Sequence, residues 1–308
     1  MSANVTKRIV LRLSEESAYQ VLGVPKDVLG ERSVPGRALV EGFETQLAVL
    51  GGTSNVAAQS TALSGLATRL RAAGAAEAPA IGALPTSYVA DALPDEAAGL
   101  PVLGLADDTL APLGFEPVGT FVVTGPPQSG KTTALRTLTE SVRRFDPDVR
   151  LFHLAGRRAA LGDAAPWMRS ATTVESVKAL AKELVDVVAD DAVPGRIMVV
   201  VEGVTQFADT DAERPMKELF QAINRSDHFL VGDADVSLLS SGFGFIGDFK
   251  AGRQGVALKP DAFDGDSVFK TPFPKVKRTD APEGRAIFVQ NGRITTVQLP
   301  RAAASVLG

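Results

Sequence analysis

Cysteine is absent from the 308 residues, which excludes disulfides, thiolate metal sites and a thiol nucleophile together. Histidine is nearly absent: His153 and His228 stand far apart and leave little for a zinc site, so a metal would need oxygen ligands. No apolar run is long enough to cross a bilayer, and the opening MSANVTKR lacks the apolar stretch of a secretory signal. A soluble, cytoplasmic protein is the expectation. Positive charge is not in excess either. A formal net charge of −4 and a pI near 5.4 give no general attraction to polyanions, and no basic patch stands out, so nucleic acid is not an expected partner. What the chain does carry is apolar material, 45% of its residues, enough for a core and about two domains.

Strand-like runs at 8–13 and 45–50 precede a segment, 55–73, whose apolar spacing predicts a helix. Residues 74–100 are rich in Ala, Pro and Gly, and the Leu84-Pro85 and Leu93-Pro94 steps break periodicity, so this stretch reads as a connector. Downstream, strand-like runs at 102–105, 120–124, 150–154, 197–202 and 229–232 alternate with helical windows at 130–144, 173–190 and 212–224. Such alternation predicts an α/β fold with a mostly parallel sheet sandwiched by helices.

A weak internal repeat bears on the first part of the chain. Pro35-Gly36-Arg37-Ala38-Leu39, then Glu41-Gly42 and Gln46-Leu47, is echoed by Gly284-Arg285-Ala286-Ile287, then Asn291-Gly292 and Gln298-Leu299. Each is preceded by an arginine-led strand, at 8–13 and 253–258, and by a Val24-Pro25 or Phe273-Pro274 step. The expected organisation is therefore three parts. Residues 1–52 are the closing strands of a preceding domain, 53–100 a helix and linker, and 101–308 a second domain of the same kind with flanking β-hairpins.

The sharpest motif is Gly125-Pro126-Pro127-Gln128-Ser129-Gly130-Lys131-Thr132, which fits GxxxxGK[ST] without a gap between a buried-looking strand and a helix. Gly125 and Gly130 permit backbone angles that let successive N–H groups turn inward on phosphate oxygens, where the helix dipole adds favourable charge. Lys131 supplies a cation for the outer phosphates, Thr132 a hydroxyl for magnesium, and Thr133 a backbone N–H for an inner phosphate. The expected cofactors are ATP and Mg2+.

Hydrolytic P-loop enzymes hold the magnesium shell with an acid at a neighbouring strand end and usually orient water with a second carboxylate. Here the strand Ile197-Met198-Val199-Val200-Val201 ends in Glu202-Gly203, so a single carboxylate stands where a pair is expected. Two registers follow: Glu202 reaches the metal and the base is lost, or Glu202 is the base and the metal acid is lost. Both predict weak hydrolysis. Asp209, Asp211 and Glu213 are expected to start and cap the next helix. Asp233 is either a sensor of the terminal phosphate or a solvated strand-end residue. Trp167 is either core or the lining of a substrate pocket. Arg157-Arg158 form a solvated pair or a finger toward a neighbouring subunit. Both histidines are expected to be packed or hydrogen-bonded, and Lys270, Lys275, Lys277 and Arg278 make a short basic stretch.

Taken together, the loop, the segment Val102-Leu103-Gly104-Leu105-Ala106-Asp107-Asp108 and the tail resemble the FtsK/SpoIIIE-type ATPases, above all the carboxy-terminal ATPase domain of EccC-type type VII secretion translocases. The tail residues that carry this are Gly252-Arg253-Gln254-Gly255, Asp264-Gly265-Asp266, Thr271-Pro272-Phe273-Pro274 and Gly284-Arg285. The resemblance implies a RecA-like fold in a multi-domain, hexamer-forming motor at the inner face of the membrane. It implies neighbouring ATPase domains in the same longer chain and a WXG-type secreted substrate, whose signal this last domain receives while binding ATP without driving transport. The alternative within the family is an active FtsK-type DNA translocase domain, although nothing in the chain resembles a DNA-reading module.

Overall fold

Alternation of apolar residues along a strand sends successive side chains to opposite faces, and a strand apolar at every position is therefore covered on both. Ile197–Val201 is such a strand: Ile197, Val199 and Val201 pack on one layer, Met198 and Val200 on the other, and all are fully buried. The protein is described from a computed structural model over residues 7–25, 28–30, 33–53, 55–76, 82–190, 195–239, 244–275 and 281–301. It divides into two compact units, 1–81 and 82–308.

The first unit contains β1 (Ile9–Val10), α1 (Glu16–Val21), β2 (Arg37–Val40), β3 (Phe43–Gln46) and α2 (Val56–Ala72), with an antiparallel sheet in the order β1-β2-β3. Val10, Tyr19, Val24, Leu29 and Leu39 form its small core. The Tyr19 hydroxyl accepts the Leu13 N–H at 2.7 Å. Asn55 caps α2 by accepting from Ala58 N, yet α2 buries none of its residues.

In the second unit come β4 (Glu96–Ala97), β5 (Leu100–Ala106), β6 (Pro112–Gly114), β7 (Gly119–Gly125), α3 (Lys131–Phe145), β8 (Arg150–Leu154), β9 (Arg169–Ala171) and α4 (Val174–Ala189). They are followed by β10 (Ile197–Val201), α5 (Glu213–Ile223), β11 (Phe229–Asp235), α6 (Gly244–Phe249), β12 (Gln254–Leu258), β13 (Arg285–Gln290) and β14 (Arg293–Gln298). The sheet runs β4-β5-β14-β13-β12-β7-β11-β10-β8-β9, parallel from β12 to β9 and antiparallel on the β13 side. The loop-bearing strand β7 thus has β11 between it and β10, the order of a RecA-like P-loop fold. One face is covered by α4, α5 and α6, the other by α3 and by a cluster of Phe115, Phe121, Phe229 and Phe288 with ring centroids about 6 Å apart. A capping box of Thr173 and Ser176 starts α4. Among the described residues no helix is long and apolar enough to cross a membrane.

Several local expectations give way to tertiary context. The strand expected at 45–50 ends at Gln46, and β11 runs three residues past the expected 232, because its register with β7 continues to Asp235 opposite Gly125. The described part of the 74–100 connector is not a plain linker: Leu84, Ala90 and Leu93 are buried and the Tyr88 hydroxyl donates to Gln298 O at 2.6 Å. Neither Asp209 nor Asp211 caps α5; the Glu213 carboxylate reaches back to Asp209 N, while Asp211 faces Lys178 at 3.5 Å.

Candidate nucleotide-binding site

The loop between β7 and α3 is shaped by close approach. A Cβ on Gly125 would lie 2.5 Å from Ser129 Oγ and 2.6 Å from Leu258 O, so the turn closes only on glycine. Gln128 and Gly130 take positive φ, 60° and 97°, bending the chain back before α3. Gly130 offers no side chain to cap α3, and no acid stands in its first turn. The opening N–H groups of α3, at Lys131, Thr132 and Thr133, are thus left for an anion. Ser129 Oγ is buried without a partner beside them. Pro126 and Pro127 complete the loop and stiffen its entry. This donor set fits a polyphosphate, and the exposed Thr132 hydroxyl is a hard oxygen suited to its magnesium.

Lys131 does not hang free. Its ammonium donates to Pro126 O at 3.0 Å and pairs with Asp235 Oδ1 at 2.6 Å, with Gly125 O at 3.4 Å. Asp235 is the residue that sequence reading missed. It stands 104 positions from Lys131, and only the β7–β11 register, Gly125 opposite Asp235, brings the two together.

Glu202 leaves the end of β10 buried and fully engaged. Its Oε1 accepts Leu161 N at 2.8 Å and faces His153 Nε2 at 2.9 Å, and its Oε2 accepts Ala160 N at 3.0 Å. Burial alone would raise its pKa. The His153 hydrogen bond, the two backbone N–H groups and the imidazole charge outweigh that, and the carboxyl lies below its ordinary value. His153 is itself enclosed, with Nδ1 2.8 Å from Ser170 Oγ and its ring stacked on Trp167 at 4.9 Å. Trp167 in turn donates to Leu161 O, so it braces the Glu202 site rather than lining an open pocket. Asp233 accepts Gly203 N at 2.7 Å. Desolvation raises its pKa, with the Gly203 N–H and Lys131 opposing and the charges of Glu202 and Asp235 reinforcing. The loop lysine and three carboxylates therefore share one electrostatic neighbourhood. Arg157 and Arg158 are exposed, His228 accepts Ile197 N at 3.2 Å, and Lys277 and Arg278 lie outside the described residues.

Beside the loop opens a cavity of about 280 Å³. Thr133 and Ala134 of α3 form one wall, and Leu258, Leu299, Pro300 and Arg301 of the tail form another. Arg301 is held by Glu283 at 3.1 Å.

No protein-family model matches the sequence, and no curated protein matches it. Solved structures do. The Thermomonospora curvata EccC structure of ATPases 2 and 3 in complex with a signal sequence peptide superposes with a TM-score of 0.66 at 20% identity, over 97% of this chain and 59% of that one. The chain has the fold of EccC-type ATPase domains. The cytoplasmic domain of the Thermomonospora curvata type VII secretion ATPase EccC gives 0.62 at 20% identity, over 95% and 37%, and ATPases 2 and 3 of Geobacillus thermodenitrificans EssC give 0.58 at 16%, over 98% and 62%. The chain therefore spans between 37% and 62% of the EccC and EssC structures it matches.

Proposed function

We propose that the chain is an ATP-binding, weakly hydrolysing or non-hydrolysing module of a type VII-like secretion motor, acting as regulator and substrate receptor. On this reading residues 125–133 hold the phosphates and Thr132 the magnesium. The tail cavity takes the adenine between Leu258 and Pro300, with Arg301 at its mouth. The observation that carries the weak turnover is the state of Glu202. Its carboxylate is already filled by one imidazole and two backbone donors, which stabilises its anion and leaves no poised base at the end of β10. Bound nucleotide would supply charge to the loop; this chain's residues grip it and hold its shape.

The test measures binding of a fluorescent ATP analogue and phosphate release on the same protein. Tight binding that depends on Lys131, with slow release unchanged by Glu202→Gln, is expected. Fast turnover abolished by that substitution overturns the proposal. Turnover stimulated by duplex DNA and lost steeply with salt favours the translocase alternative.

The internal repeat supports a preceding ATPase domain in a longer chain. Gly36 and Gly284 both have positive φ, and their carbonyls accept Leu47 N and Leu299 N at 2.9 and 2.8 Å. Gln46 and Gln298 each send Nε2 back to the residue before that glycine, and Glu41-Gly42 and Asn291-Gly292 form the same left-handed turn. In the second unit this hairpin joins β12, whose other edge pairs with β7. The corresponding edge of β1 is the place for a P-loop strand of that domain. For the receptor role, the groove between the last turns of α4 and α5 sets a short apolar strip, Val185, Ala189 and Ala222, beside the charged side chains Asp190, Glu218 and Arg225, a lining that would take a short amphipathic helical signal. Ala222→Arg should abolish binding of such a peptide and leave ATP binding intact.

A further inference from the structure

Away from the phosphate loop, three cations converge with no anion described between them. Lys250 closes α6 and is buried, 6% exposed, its ammonium donating to Leu239 O and to Ser267 O. Those partners take two of its three N–H groups and are neutral. Arg253 ends the short helix Lys250–Gly252, and Lys270 ends the π-helix Gly265–Phe269. Both adopt positive φ, 48° and 57°, a conformation that residues with a Cβ adopt at a cost. All three line one cavity of about 270 Å³, floored by Val268. Among the described residues no carboxylate forms an ion pair with any of them. Burial lowers the pKa of Lys250, and the neighbouring charge of Lys270 adds to that in the same direction.

A buried cation is ordinarily paired, whereas Lys250 is joined at this cavity by two exposed cations, Arg253 and Lys270, each at the left-handed cap that ends its short helix. The place is distinct from the nucleotide loop. β12 begins at Gln254, next to Arg253, and reaches the loop cavity only at its other end, Leu258, so the two sites stand roughly 15 Å apart along the strand.

We propose that Lys250, Arg253 and Lys270 form a second anion site, for a small tetrahedral oxyanion such as phosphate or sulfate. A dianion there neutralises the repulsion between Lys250 and Lys270, and the Arg253 guanidinium offers a fork of donors to its oxygens. The site rests on these residues alone and is independent of whether the loop hydrolyses ATP.

The experiment titrates inorganic phosphate into the full chain carrying Lys131→Ala, which weakens the loop's own hold on phosphate, with binding followed by calorimetry and assigned to the second site by its dependence on Lys270 and Arg253. Saturable binding near one phosphate per chain is expected, weakened by about tenfold in Lys270→Asn and in Arg253→Asn, asparagine being chosen because it tolerates the left-handed backbone. With Lys131 intact, both variants should bind ATP analogue as the parent does, which shows that they fold; if one fails, the other decides. No phosphate binding in the Lys131→Ala chain, or binding undiminished by either folded variant, overturns the proposal. Acetate competing as well as phosphate overturns the oxyanion selectivity and marks a carboxylate site instead.

Discussion

The ammonium of Lys131 is held by Asp235, so an anion entering the loop would compete with a carboxylate of this chain for that cation. A partly exposed pair of this kind is worth up to about 1 kcal/mol. Asp235→Asn should therefore tighten ATP-analogue binding by about two- to fivefold and lower the melting temperature of the empty protein, but not that of the nucleotide-saturated protein. Lys131→Ala should abolish binding in the same assay. Asp233 makes stability depend on pH. Its pKa is raised on folding, so its contribution to stability is present in acid and is lost as pH rises through the folded value. Asp233→Asn keeps an acceptor for Gly203 N without the charge. It should raise the melting temperature by about 1–3 °C at pH 7, and the gain should vanish near pH 3. The glycine turn and helix start at residues 125–133 were legible because such a turn is a local device, made by neighbours in sequence. Asp235 was not, since its role follows from strand register alone.

Between β8, β10 and the loop at 155–161, one carboxylate holds three elements together. Glu202 is lowered in pKa, so the stability it contributes is present at neutral pH and is lost as pH falls through its folded value, below the ordinary carboxylate range. Glu202→Gln should cost about 1–3 kcal/mol, read by chemical denaturation, through the loss of charge-assisted bonds to His153, Ala160 and Leu161. Sequence showed the lone carboxylate but not its donors, which arrive from the neighbouring strand and from a turn 41 residues away. Helices differ in the same way. Periodicity found α2, α3, α4 and α5 to within a residue or so at each end, yet α3 buries a full face and α2 buries nothing. A helix without a buried face lacks the packing that stabilises most helices, and α2 amides should exchange with solvent orders of magnitude faster than those of α3, as read by hydrogen exchange.

At the scale of the molecule, the contacts divide the chain at residue 81, inside the stretch read as a connector, and Leu84, Tyr88, Ala90 and β4 pack with the β5–β14 side of the sheet. A fragment spanning 82–308 should fold cooperatively and bind ATP analogue with unchanged affinity; aggregation or loss of binding would show that the first unit is needed. By itself, the sequence determined the class of fold, the glycine turn between β7 and α3, the alternation of the central strands with α3, α4 and α5, and the repeated hairpin. These depend on composition, periodicity and turn chemistry over a few neighbouring residues. Only the tertiary structure decided that Asp235 guards Lys131, that Glu202 is engaged by His153 and the 160–161 backbone, and that Lys250, Arg253 and Lys270 meet at one cavity. Such contacts join residues tens to a hundred positions apart, and their geometry exists only once strand register and helix packing have been set.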